Sequence, residues 1–162
     1  SGSIINGLDI NTLNGLISDV LNLQDYDFYS LVETRLVLEM NTIRLCAERW
    51  NEKDLMNLKT ALDNYTKNFR TSERDSHDFA FHRAIAEASH NPVFKAMLMI
   101  IIPDILTIYQ RDRICGPNTA VVDEHISMYD AIRKRDGDLA ARLMEEHLQG
   151  VLSFARTKAN LP

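Results

Sequence analysis

The chain has 162 residues, 45% of them hydrophobic and 25% charged, with a net charge of −5, which is the profile of one ordinary globular domain. With 18 basic against 23 acidic side chains it lacks the basic face that phosphate neutralisation needs, so nucleic acid is not expected as a direct partner. Cys46 and Cys115 form no CxxC pair, which suits a reducing cytoplasm, and the absence of an uninterrupted apolar run of about 18 residues predicts no membrane-spanning segment.

Residues 1–8 read as a linker remnant, and residues 9–162 as one bundle. Ile10, Leu13, Ile17 and Leu21 form a stripe that predicts a short helix over 11–23. A longer helix is predicted over 27–49. Asn51, with Asp54 three residues on, has the pattern of a reciprocal helix cap. The helix that follows carries Leu55, Leu58, Leu62, Tyr65 and Phe69 at 3-4-3-4 spacing, one buried face. A fourth helix is predicted over 72–89, and Asn91-Pro92 restarts the chain as cap and first helical residue.

The fifth predicted helix is the most apolar, uninterrupted from Ala96 to Ile102, and Pro103 should break or kink it. Gly116-Pro117-Asn118 should end it. A sixth helix is predicted over 119–136, with Gly137 as its stop and Asp138 as cap of the last, which runs to about residue 158. No segment alternates as a strand does. The expected fold is an all-α antiparallel bundle of six or seven helices.

The informative feature is where the histidines fall. His125 sits within the stripe Val121, Val122, Met128, Tyr129, Ile132, and His147 within Leu139, Ala140, Leu143, Met144, Leu148, Val151. His82 lies with Phe79, Ile85 and Ala86, and Asp78, one turn earlier, points the same way. Three inward imidazoles and a carboxylate on three helices call for a shared partner, and a divalent cation would satisfy all four. Three nitrogens and one oxygen suit zinc first, with nickel, manganese, iron or cobalt as alternatives, better than calcium or magnesium. On the residues alone, separately hydrogen-bonded core histidines explain the pattern equally well. His77 and His90 fall off these faces, as surface or capping residues.

Arg35 is the second anomaly, one turn after Leu31 and one before Leu38. It reads either as a weak pair with Glu39, four residues on, or as an inward guanidinium suited to a carboxylate.

Four segments in order, residues 33–39 (ETRLVLE), 78–92 (DFAFHRAIAEASHNP), 124–132 (EHISMYDAI) and 137–148 (GDLAARLMEEHL), resemble the C-terminal effector-binding (FCD) domain of FadR-type regulators in the GntR superfamily. The resemblance covers about residues 26–155. It implies a helical bundle that binds a divalent metal through Asp78, His82, His125 and His147, the residues the stripes select, and a small organic-acid effector clamped by Arg35. It points also to Arg111 and Arg113 as effector contacts. Such regulators carry an N-terminal winged helix-turn-helix that these residues do not resemble, so DNA binding is expected only through that missing part.

The expected function is therefore effector sensing by a cytoplasmic, homodimeric transcription regulator, and not enzymatic. The second or fifth predicted helix could form the dimer seam, unless both are central core helices. A metal-dependent hydrolase or oxygenase is the alternative, against which the sequence offers no evident nucleophile and no extra carboxylate beside the histidines. A helical interaction module without metal is a further one.

Overall fold

The computed structural model describes residues 28–112 and 118–159, together with Thr12, Gly15 and Asp19, which are helical. The helix expected over 11–23 otherwise lies outside the described residues. Six helices follow: α1 (Phe28–Arg49), α2 (Glu52–Asn68), α3 (Arg74–Ala88), α4 (Pro92–Asp112), α5 (Ala120–Arg133) and α6 (Gly137–Ala159). Among the described residues there is no strand, and the bundle is all-α.

α1 is the central helix and packs against α3, α4, α5 and α6, while α2 lies on α3 and α5. The reason is in its buried stripe, Leu31, Val32, Arg35, Leu38, Glu39, Thr42, Ile43, Cys46 and Ala47. It is wide enough to face several neighbours. Its lower half joins the main core with Leu58, Leu62, Phe81, Ile85, Met128, Ile132, Met144 and Leu148. Its upper half packs Leu31 and Val32 against Ile105, Tyr109 and Leu152, and Leu38 against Leu98, Ile101 and Ile102. Arg35, Glu39 and Thr42 are the polar positions left inside this apolar surround, Thr42 donating back to the Leu38 carbonyl.

The predicted caps at Asn51 and Asn91 form. Asn51 and Asp54 make the reciprocal pair, and Asn91 Oδ1 accepts from the Val93 and Phe94 amides. The turn into α6 differs from expectation. Gly137 is the first residue of α6 and not the stop of α5, and the cap is Asp136, whose Oδ1 accepts from the Leu139 amide at 3.0 Å. Asp138 instead pairs with Arg44 at 3.3 Å. The chain reverses at Arg135, with a left-handed φ of 58°, through bonds from Arg135 N to Ile132 O and Asp136 N to Ala131 O. The Arg135 guanidinium stacks on Trp50 at 3.9 Å and donates to the Glu48 and Trp50 carbonyls, which offsets the cost of that conformation in a residue other than glycine. Gly137 serves close approach: a Cβ there would lie 3.2 Å from the Arg44 carbonyl oxygen.

Of the break or kink expected at Pro103, the break does not occur: α4 runs on through the proline. The proline ring sits on the exposed side of the helix. Over Pro92–Gln110 the mean hydropathy is 1.7, so by length and composition this helix is long and apolar enough to cross a membrane, although no uninterrupted apolar run reveals it. Only 28% of those residues are buried in the single chain. Leu98, Ile101, Ile102 and Ile105 face the core, while Val93 and Met97 are exposed.

Candidate metal centre

Asp78 and His82 come from α3, His125 from α5 and His147 from α6, and one ligating atom from each lies within 4.8 Å of every other. The ring centroids of His82, His125 and His147 are 4.8–5.6 Å apart. His82 is 2%, His125 0% and His147 5% exposed, so all three sit beneath the surface, and the Asp78 side chain, 23% exposed, closes the cluster on its outer side. Helical geometry explains the convergence on α3, because positions four apart share a face. On α5 and α6 the histidines replace one apolar side chain in an otherwise buried stripe.

Each imidazole is held from behind. His125 Nδ1 donates to the Val121 carbonyl at 2.7 Å, one turn earlier. His147 Nδ1 meets Glu124 Oε2 at 2.7 Å, and His82 Nδ1 meets Glu39 Oε2. In all three rings Nδ1 is thus committed to an oxygen acceptor, which leaves Nε2 for the interior. His125 Nε2 lies 2.7 Å from Asp78 Oδ1. His82 Nε2 is buried with no hydrogen-bond partner, 3.8 Å from the same oxygen. A bare imidazole nitrogen and a carboxylate oxygen repel unless a proton or a cation lies between them, so this donor set fits a divalent ion.

Arg35 is inward, as one of the two readings expected, and its partner is Glu39, as the other expected. It is 3% exposed, and its Nε donates to Glu39 Oε1 at 2.7 Å, with Nη1 3.5 Å from the Tyr109 hydroxyl. This is a buried pair, in which loss of either partner strands a charge, and not the weak surface pair that the spacing alone suggests. The expectation that no further carboxylate stands beside the histidines is corrected: Glu39 and Glu124 both do. The signals were present in the sequence, Glu39 in the buried stripe of α1 and Glu124 adjacent to His125, but pairing across helices hid them. Arg113 lies outside the described residues, as does the side chain of Arg111, whose backbone belongs to α4. His77 and His90 stay out of the cluster. His90, at a left-handed φ of 53°, pairs with Asp54 at 2.6 Å.

The charges fit one another. Burial alone would raise the Asp78 and Glu39 carboxyls, but His125 and His82 hold Asp78 well below the usual carboxylate range, and Arg35 and His82 bring Glu39 down to about 2. Against the opposing effect of burial, Glu39 and Tyr109 push the Arg35 guanidinium further up. Burial takes His147 from 6.5 down to about 4, Glu124 opposing and the other two imidazoles adding to the shift. A histidine with a lowered value destabilises the fold once the unfolded chain binds its proton. A carboxylate with a lowered value stabilises only above its unfolded value. Metal-free protein should therefore be most stable above pH 6.5, lose stability as pH falls from 6.5 through about 4 on account of His147, and lose more between 4.5 and about 2 on account of Glu39. Melting temperatures in chelator across that range should fall by several degrees; a protein that gains stability on acidification would contradict the assignment.

The described residues thus form an all-helical bundle around a buried cluster of three histidines and an aspartate. A family profile described as the FCD domain matches residues 30–150. The chain belongs to this family, the regulatory effector-binding domain of GntR-family transcription regulators, and such domains are not enzymes. It is 29% identical over 152 residues to the transcriptional repressor NanR of Cronobacter sakazakii, covering 89% of this chain and 56% of NanR. It is 31% identical over 141 residues to the galactonate operon transcriptional repressor of Escherichia coli, covering 80% and 61%. The fold of Streptococcus agalactiae GntR superposes with a TM-score of 0.67 at 23% identity, covering 76% of this chain and 57% of that one. The chain thus spans little more than half the length of these relatives. The hydrolase or oxygenase alternative falls with the family assignment.

Proposed function

We propose that this domain senses a small organic acid at a metal centre and passes the signal to a DNA-binding winged helix-turn-helix outside these residues. Asp78, His82, His125 and His147 would hold a divalent transition ion, zinc first, with nickel, manganese, iron or cobalt as alternatives. Bound there, the ion supplies a Lewis-acidic seat for a carboxylate oxygen. Arg35 is the cationic group on the same side of the core, two contacts away through Glu39 and His82. The observation that carries the reading is the convergence of the three rings and Asp78 within 4.8 Å, with each Nδ1 tied to an oxygen. One relative is named for a galactonate operon, and galactonate is a sugar acid. The regulator would work in the cytoplasm with its DNA.

A thermal-shift screen of organic acids on zinc-loaded protein, repeated after chelation, tests this. At least one acid should raise the melting temperature by a few degrees with zinc and not without it. Equal shifts in both states would remove the metal from the effector site.

The signal needs two DNA-binding heads, and the exposed side of α4 offers a seam for a homodimer. Val93 is 64% and Met97 44% exposed, and Thr107, exposed as well, falls on the same face by helical spacing. Two copies of α4 packed antiparallel by this face would cover Val93 and Met97 of both, an isologous contact. Replacing Val93 and Met97 together by Glu should turn a dimer into a monomer in light scattering with helicity unchanged. A wild-type protein that is monomeric at tens of micromolar would reject the seam.

A further inference from the structure

We propose that Glu39 is the positioning residue of this centre: its carboxylate fixes His82 in the tautomer whose Nε2 lone pair faces Asp78, and it ties that tautomer to Arg35. The affinity arm of this proposal rests on the metal reading above; the tautomer arm does not.

Glu39 touches both the guanidinium and a candidate ligand ring. Oε1 accepts from Arg35 Nε, and Oε2 accepts from His82 Nδ1. All three residues are 3% exposed or less, so water cannot stand in for either bond. A neutral imidazole has a single N–H. With that proton on Nδ1, Nε2 is bare, in keeping with its lack of any hydrogen-bond partner. The other two rings are held differently. The partner of His125 is a main-chain carbonyl that no substitution removes. The partner of His147, Glu124, has a side chain 44% exposed, where water can take over its bond. Control of the centre by a single side chain is therefore concentrated at Glu39.

Gln at this position makes the argument sharp, because an amide has one acceptor and one donor group where the carboxylate has two acceptors. The charged guanidinium competes better for the single oxygen. The amide NH2 then faces His82 Nδ1, and the imidazole must move its proton to Nε2, which closes the lone pair. Removing the guanidinium as well frees the Gln oxygen to accept from Nδ1 again. Thus E39Q should lose the tautomer, and R35M/E39Q should regain it.

Nitrogen-15 NMR of histidine-labelled, metal-free protein at about pH 8 reads the tautomer directly. His82 should carry its proton on Nδ1 in wild type and in R35M/E39Q, and on Nε2 in E39Q. Competition against a chromophoric chelator with zinc alone should give a 10–100-fold weaker affinity for E39Q, recovery in R35M/E39Q, and a change under about threefold for Glu124→Gln. A merely structural role for Glu39 would not restore affinity in the double variant. Wild-type His82 protonated on Nε2, or E39Q with Nδ1–H and zinc affinity within about threefold of wild type, would overturn the proposal. If E39Q does not fold, the wild-type and double-variant tautomers still decide it. If the tautomers follow the pattern but wild type binds no zinc, the positioning role stands and the metal reading falls.

Discussion

If the proposed centre holds zinc, replacing His125 by Ala should abolish the stabilisation the ion gives. His125 lies at the middle of the cluster, with ring contacts to Tyr65, Phe81, His82 and His147. Its Nε2 stands 2.7 Å from Asp78. An ion held by residues of α3, α5 and α6 binds the folded chain and not the unfolded one, so it raises stability by mass action. At a free zinc concentration about 100 times Kd the gain is about 2.7 kcal/mol, or roughly 5–10 °C in a domain of this size. Calorimetry should find that increment in wild type between excess zinc and excess chelator, and the two traces should coincide for His125→Ala. The variant should also melt below metal-free wild type, because Asp78 loses its hydrogen-bonding imidazole and remains partly buried. Wild-type melting that chelator does not move would remove the metal from the interior altogether.

The largest loss of stability is expected from Arg35→Met. The substitution keeps much of the side-chain volume but leaves Glu39, 2% exposed, without its cation, so that its charge is stranded or its carboxyl must take up a proton. Breaking a buried pair in this way costs about 3–5 kcal/mol. In a chain of this length that corresponds to a fall of roughly 6–20 °C. Arg35→Met combined with Glu39→Gln buries no net charge there and keeps an acceptor for His82, so most of the loss should return. Urea unfolding of the two single variants and the double variant measures the coupling directly. Single variants that each cost under about 1 kcal/mol, with no coupling, would mean that solvent reaches the pair.

The pair also bears on how an acid could be sensed. Arg35, Glu39 and His82 form a chain of contacts from α1 to α3. A carboxylate that engages the guanidinium competes with Glu39 for it, and Glu39 is what orients His82. On the proposed reading, affinity for the acid and affinity for the metal would then be linked, and the linkage would be reciprocal.

Local sequence determined the helices and where their polar exceptions lie. The 3-4-3-4 stripe of α2, the Asn51 and Asn91 caps and the inward histidines depend on positions within one or two turns, and helix geometry alone fixes which residues share a face. Asp78 with His82 was legible for the same reason. The Arg135 reversal was not, because a left-handed arginine is tolerable only with Trp50 and carbonyls from the end of α1 brought in from 85 or more residues away. Nor was the persistence of α4 through Pro103, which depends on which side of that helix faces water. Most of all, the partners of the histidines came from the tertiary structure. Glu39 and His82 are 43 residues apart, Asp78 and His125 47. Which buried donor meets which acceptor is set by how helices pack, a matter on which a periodic pattern is silent.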